Sequence, residues 1–532
     1  GLSADTRGTP IATMFPIAAN SIFAPQGSLL AGTTVPAGGV NILDLPGGAG
    51  CGSVEGGMPY DEALWGAPTA AYACAWDTGR AAVLQQPLET LTYYGRATVN
   101  LGDHQAYAEI TGSKAKSSKI FSHNQYSGNN AALPLYYPLN AVTAATYNDI
   151  YNRLVTAFPT AGLAANYGKP IAYRWRCIEC GERQYNTDTN TLRASVGVEG
   201  PIASGWDYRV GGSFARSRVE SVLGTGYHYR GVFPNAAYAA ASGVPRAVSG
   251  GIDARAPIAP GATAPGIVGL LNSGILNPFS VAQTAAARAA LDGISAQGVM
   301  LYAGQYKVWQ FDASVSGSLF ALPGGDVQLA VGVDYRRETY TFDGSSAGIV
   351  GAPDIFNVAF DNVNALSPRN RTVKAAYAEM LLPVFDMLEI TLAGRVDEYS
   401  GFGSTWNPKV SAKFRPTEWL MFRGSYNTGF RVPNFNQIFN GVTESPVTSA
   451  SFGDPRNCPN GVVPNPAPAG CTSFSGSNVV SWTGGNANLG PETSKQYSVG
   501  VVIQPAPRLS LAVDFWSISV DDGVGALTLQ EL

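Results

Sequence analysis

Apolar and polar residues alternate with a period of two along this chain, in segments of about ten residues that recur in pairs. In residues 91–101, Leu91, Tyr93, Gly95, Ala97, Val99 and Leu101 fall on one face of an extended backbone, and Thr92, Tyr94, Arg96, Thr98 and Asn100 on the other. A helix would mix these two sets, whereas a strand separates them. After Gly102-Asp103-His104, Ala106, Ala108 and Ile110 alternate with Tyr107, Glu109 and Thr111, so the two segments are predicted to form a hairpin. The same unit recurs at 191–200 with 206–219, 309–321 with 327–342, 371–383 with 388–400, 405–415 with 419–431, and 497–504 with 509–520. Twelve strands are predicted in all. Pro408 lies inside one of them and stands as a local exception, because proline normally marks an edge or a bulge.

The connectors constrain the topology further. One set is very short (102–104, 204–205, 323–325, 386, 416–417, 505–507), and the other is mostly very long (122–190, 220–308, 432–496), with a short exception at 401–403. Helical patterning inside the long set, at 143–158 and 281–291, is read as packed loop helices. Strands of a soluble sandwich run to about five or six residues. These are about twice as long, the length that a tilted strand needs to cross hydrocarbon. In lipid such strands must close on one another, because an open edge leaves backbone groups unpaired. The fold class is therefore all-β, an antiparallel transmembrane barrel with short periplasmic turns and long extracellular loops. Its apolar face meets lipid. Its polar face carries Glu109, Arg193, Glu199, Asp207, Arg209, Asp334, Arg336, Arg395, Asp397 and Arg423, which implies a wide, wet or plugged lumen. Aromatics at strand ends, among them Trp206, Phe320, Phe385, Phe414 and Trp419, fit an interfacial girdle.

Composition agrees. Charged residues are 14% of the chain, well below the soluble average, while the hydrophobic share is an ordinary 45%. The 62 glycines and 35 prolines disfavour an all-α fold. No stretch is long and apolar enough for a membrane-spanning helix. A net charge of -4 offers no basic footprint for nucleic acid. The six cysteines form three local pairs in Gly/Pro/Asn-rich stretches, Cys51/Cys74, Cys177/Cys180 and Cys458/Cys471, which points to disulfides in an oxidising compartment. Cys177-Ile178-Glu179-Cys180 has the spacing of a redox or metal motif, but it lacks a second Cys or His pair, so a local disulfide is favoured over a metal. No catalytic constellation is visible, and no cofactor is implied: His104, His123 and His228 lie on different elements, without a nucleophile elbow or phosphate loop.

The block at 407–439, NPKVSAKFRPTEWLMFRGSYNTGFRVPNFNQIF, resembles the barrel of TonB-dependent outer-membrane receptors, as does NANLGPETSKQYSVGV at 486–501. In that family a strand ends in Gly-Phe-Arg-x-Pro, here Gly429-Phe430-Arg431-Val432-Pro433. A later loop closes on Asn-x-Asn-Leu-x-Pro-Glu-Thr, here from Asn486 to Thr493. VGVDYRRETY at 331–340 and LEITLAGRVDEYS at 388–400 look like central strands of the same barrels, and the resemblance loosens before Leu91. It implies a bacterial outer-membrane protein in a 22-stranded barrel whose N-terminal plug is preceded by a segment gripped by TonB. On that plan residues 1–532 are a partial barrel domain, with 1–88 mainly extracellular loop. The plug, about five strands before and about five behind are expected outside this sequence. The implied partners are outer-membrane lipid, TonB and an imported solute, a glycan, peptide or siderophore. Candidate plug-facing or ligand-binding residues are Glu109, Arg336, Arg395, Asp397, Arg423, Arg431 and Glu492, with structural pairing favoured over ligand contact. A passive porin and, further off, a secreted β-rich carbohydrate-active enzyme stay open as alternatives.

Overall fold

A computed structural model of the chain describes residues 4–5, 9–17, 27–36, 38–60, 72–81, 83–127, 135–229, 266–344, 355–356, 366–440, 443–446, 453, 456–471 and 480–525. Of the long connectors, residues 230–265 and much of 441–479 thus lie outside the described residues, as does about a third of 1–88.

The twelve predicted strands are present as one antiparallel sheet. They are β1 (Leu88–Leu101), β2 (His104–His123), β3 (Glu182–Ala203), β4 (Trp206–Leu223), β5 (Met300–Leu322), β6 (Gly325–Gly344), β7 (Leu366–Phe385), β8 (Leu388–Tyr399), β9 (Gly403–Thr417), β10 (Leu420–Arg431), β11 (Glu492–Ala506) and β12 (Leu509–Asp521). Each pairs with its neighbours in sequence, so the sheet is a pure meander. Among the described residues β1 and β12 do not pair with each other, and the sheet is not closed. The short turns bring strands back at once: Gly102 takes φ +66°, the left-handed conformation that a two-residue hairpin turn demands.

Register places the expected residues on the expected faces. Directly opposed residues of antiparallel strands share a face. Val99, Ala106, Val198, Val210, Ala313, Val333, Ala376, Val396 and Trp406 form one continuous row, and Leu388 opposes Phe414 on the same side. Arg96 opposes Glu109 on the other side, as Lys413 opposes Arg423. Burial has the same period: in β6, residues 331, 333, 335 and 337 are exposed, whereas 332, 334 and 336 are half-buried. The apolar face is thus the open, lipid-facing one and the charged face lines the lumen. Pro408 pairs with Gly394 of β8, and it sits where the ladder to β10 stops at Lys409.

Several strands are much longer than the alternation predicted. β2 runs on to His123, β3 begins at Glu182, β4 ends at Leu223 and β5 begins at Met300, so the connectors expected at 122–190 and 220–308 are shorter than their predicted bounds. The residues added to β3 are polar on both faces, Asn186, Asp188 and Asn190 outward with Thr187 and Thr189 inward, and a strand wetted on both sides has no alternation to read.

Above the strands, described residues between 12 and 45, in the connector between β2 and β3, and between 267 and 294 share one hydrophobic core. It contains Met14, Leu29, Tyr126, Tyr147, Ile150, Leu154, Tyr173, Trp175, Leu271 and Leu291. Its central strand, Ile171–Arg176, is buried at all six positions. Helix α1 (Ala144–Ala157) falls within the patch predicted at 143–158 and turns Tyr147, Ile150 and Leu154 inward at helical spacing. Helices α2 (Ile267–Ser273) and α3 (Ala285–Asp292) complete this core, α3 starting four residues later than predicted because Thr284 caps it by accepting from Ala287 N–H. Disulfides join Cys51 to Cys74, Cys177 to Cys180 and Cys458 to Cys471, with Cα separations of 5.4, 5.3 and 4.8 Å.

Candidate functional site in the upper lumen

Three adjacent strands bring charge together on the lumen face. β6 contributes Asp334, Arg336, Glu338 and Tyr340, β7 contributes Arg369, Arg371 and Tyr377, and β8 contributes Arg395, Asp397 and Tyr399. The ladder sets Glu338 opposite Arg371, and Val373 opposite both Arg336 and Tyr399. Arg371 Nη2 lies 2.6 Å from Glu338 Oε2 and its Nε donates to the same oxygen at 2.8 Å. Arg336 reaches the other oxygen of Glu338 at 3.0 Å and donates to the Tyr399 hydroxyl at 3.3 Å. One carboxylate thereby holds two guanidiniums. Arg395 donates to both oxygens of Asp397 at 2.9 Å, and its guanidinium stands 5.9 Å over the Tyr377 ring. That ring lies flat against Gly332, where any Cβ would meet it at 2.4 Å, so glycine is required there for the tyrosine to lie down.

A roof covers this patch. After β10, the chain turns at Pro433 into the short helix α4 (Phe435–Phe439), whose start is fixed by a capping box between Asn434 and Gln437. Arg371 donates to the Pro433 carbonyl at 2.9 Å and sits 4.9 Å from the Phe435 ring centre. Phe435 also stacks on Tyr340 at 5.6 Å and 13°, and Arg369 lies 4.7 Å over Phe439. The roof is tied to the far end of its own loop: Asn486 N–H donates to the Gln437 carbonyl at 2.8 Å and Gly485 N–H to the Asn440 carbonyl at 2.9 Å. The two quoted motifs therefore meet, through residues 437 and 486. Arg431 and Glu492 seal the junction as register partners joined by an ion pair, and Glu492 also accepts from Val524 N–H at 2.6 Å.

The predicted site residues consequently fall into separate groups. Arg336, Arg395 and Asp397 share the roofed patch. Arg431 and Glu492 form the hinge beside it. Arg423 pairs with Asp514 at 2.8 Å further down the wall. Glu109 lies apart on β2, where Arg96, Arg193 and the Tyr94 hydroxyl surround it at 3.5, 3.7 and 3.1 Å. The residues at the centre of the patch, Glu338, Arg371, Tyr340 and Phe435, were not predicted. The signal was present in Pro433 and Phe435, which lie inside the quoted motif. Among the described residues no group of three or more His, Cys, Asp or Glu could hold a metal ion.

The family model described as TonB dependent receptor-like, beta-barrel, matches residues 76–530. The chain belongs to this family. Receptors of this family are proteins of the bacterial outer membrane, and its barrel domain is the sheet described above. No curated protein matches. Among solved structures, the chain is similar to the siderophore receptor PirA from Acinetobacter baumannii, at 14% identity over 82% of this chain and 44% of that one, with a TM-score of 0.43. It is also similar to a mutant of the ferric enterobactin receptor PfeA from Pseudomonas aeruginosa, at 11% identity over 81% of this chain and 42% of that one, TM-score 0.43. The TonB-dependent receptor chain thus spans less than half the length of these two structures' chains.

Proposed function

We infer that this chain forms the barrel wall of a receptor that imports a scarce organic solute, a glycan, peptide or siderophore, across the outer membrane with energy delivered by TonB. The observation that carries the reading is the roof over the lumen: the Pro433–Phe439 segment lies on Arg371, and both motif stretches hold it there. A lumen wall that is charged, aromatic and covered fits selective, gated passage better than free diffusion through an open pore. Fully charged side chains on that wall also fit a plug as their other partner, supplied within a 22-stranded barrel of which residues 1–532 are a part and 1–88 mainly extracellular loop. Arg336, Arg395, Asp397, Arg431 and Glu492 then serve as wall residues around the ligand path, and Glu109 and Arg423 as plug-facing ones. The test is growth on, or uptake of, candidate solutes by cells expressing the full-length receptor, with TonB present or deleted and with the proton-motive force intact or collapsed. Uptake should require both. Uptake that survives loss of TonB would favour the passive porin.

A further inference from the structure

Two disulfide-held loops face each other across a cavity of about 450 Å³ at the top of β2 and β3. The first is the turn at 51–57. Cys51 is bridged to Cys74, where the strand Cys74–Asp77 begins, and the turn folds back onto that strand: Trp76 Nε1 donates to the Glu55 carbonyl at 2.8 Å and Asp77 N–H to the Gly56 carbonyl at 2.9 Å. Gly56 is required there, because its φ is +75° and a Cβ would stand 2.9 Å from the indole nitrogen. The second loop is closed by the Cys177–Cys180 bridge and presents Ile178. Val54 from the first loop and Ile178 from the second, with Pro10, Ala81 and Val281, make the walls aliphatic. Both loops are covalently closed, so a ligand meets a site whose walls are already ordered.

The polar end of the cavity is formed by Glu182 and His123, register partners at the end of the ladder between β2 and β3. Glu182 is half-buried, and among the described residues its carboxylate enters no ion pair and accepts no hydrogen bond; only its backbone carbonyl is engaged, by the Thr225 hydroxyl at 2.8 Å. A carboxylate drawn part-way out of water without a partner is a cost left standing. The nearby cations are turned to other groups. Arg176 donates to the His123 carbonyl at 2.8 Å and stands 5.4 Å over Trp76, and Arg183 donates to the Ser122 carbonyl at 2.8 Å and lies 5.7 Å over Phe121. Burial, and then these two guanidiniums, hold the His123 pKa below its ordinary value, so the imidazole beside Glu182 is neutral and adds no positive charge. Trp76 offers a sugar no open ring face, being 5% exposed, with Arg176 over it and His123 against it at 6.4 Å. At the mouth Arg80 and Glu55 pair at 2.7 Å with 54% and 85% of their side chains exposed, a donor and an acceptor that match the C=O and N–H of a peptide bond.

We propose that this cavity binds the amino terminus of a short peptide whose first residue is aliphatic. The α-ammonium meets the Glu182 carboxylate, the first side chain lies against Val54 and Ile178, and the peptide leaves past Arg80 and Glu55. An ammonium supplies the charge-assisted partner that Glu182 lacks. Aliphatic walls select an aliphatic side chain through the apolar surface that the two remove from water. As a docking point for the imported solute the site rests on the receptor reading above, and it narrows that solute to a peptide; as a binding site it stands without that reading.

Isothermal titration calorimetry on the full-length receptor in detergent compares the tripeptide Leu-Gly-Gly with its N-acetylated form, with Gly-Gly-Gly, and with isoamylamine, which keeps an ammonium and an apolar body but has no peptide bond. Acetylation should weaken binding by roughly tenfold, the loss of one charge-assisted hydrogen bond. Removing the leucine side chain should weaken it by roughly tenfold as well, and the amine should bind less tightly than the tripeptide. Glu182→Gln should bind the free and acetylated peptides alike, and Val54→Ser should narrow the difference between Leu-Gly-Gly and Gly-Gly-Gly. Equal binding of free and acetylated peptide by the wild type, amine binding as tight as that of the tripeptide, or unchanged discrimination in folded Glu182→Gln would overturn the proposal. Should the variants not fold, the wild-type comparisons decide alone. Selective binding of Leu-Gly-Gly without TonB-dependent uptake leaves the site standing and counts against the import reading, whereas TonB-dependent uptake of another solute by a receptor that does not discriminate among these peptides removes the site alone.

Discussion

Arg371 and Glu338 face each other across β6 and β7 with only 12% and 7% of their side chains exposed, the least hydrated of the ion pairs on the barrel wall described here. Burying both charges is costly in itself, and the geometry recovers that cost only while both are present. Glu338→Gln or Arg371→Met should therefore destabilise the folded receptor by about 3–5 kcal/mol, because each leaves the other charge unpaired in a poorly hydrated place. The double variant should recover much of the loss. Urea unfolding in lipid vesicles, followed by tryptophan fluorescence, gives the three free energies and hence the coupling between the two residues.

Phe435 is the pin of the roof. It is 6% exposed and lies between Tyr340 and Arg371. Phe435→Ala should loosen residues 433–440 without unfolding the sheet, at a cost of about 3–5 kcal/mol confined to that segment. Hydrogen exchange should speed up at 433–440 and at Gly485 and Asn486, whose N–H groups bond to it, while β6 to β8 stay protected. Faster exchange throughout those strands would mean that the roof supports the wall.

His228 lies outside the spanning strands, buried between the ends of β4 and β5. Burial pushes its pKa down to about 4, and the nearby Asp292 carboxylate only partly offsets this. The unfolded imidazole, with its pKa near 6.5, binds a proton more readily than the folded one. Stability that is fully present above about pH 6.5 is thus lost as pH falls toward 4 and changes little below it, by about 3 kcal/mol in total. Hydrogen exchange at Phe356, whose N–H donates to the His228 carbonyl at 2.9 Å, should accelerate over that window in the wild type and be flat in His228→Gln.

How much of this was legible in the sequence depends on what each face touches. Trp406, Val410, Ala412 and Phe414 against Lys409, Ser411 and Lys413 meet lipid on one side and water on the other, so the alternation gave both strand and facing. Glu182 to Asn190 meet water on both sides, and that part of β3 was invisible. The Arg371–Glu338 pair depends on register across the long connector between β6 and β7, which no local pattern encodes. The roof was half-legible. Arg431 and Glu492 were singled out because each sits in a motif, but their contact with each other emerges only when β10 and β11 lie side by side.

The account rests most on the claim that one face of the sheet meets lipid and the other water. Spin labels placed singly at position 331 and at positions 333 to 336 of β6 in the full-length receptor, reconstituted in vesicles, test it directly. Oxygen, which concentrates in hydrocarbon, should relax labels at 331, 333 and 335, and a water-soluble nickel complex those at 334 and 336. Collision rates that do not alternate, or that alternate with the two sets exchanged, would contradict the membrane-barrel reading outright.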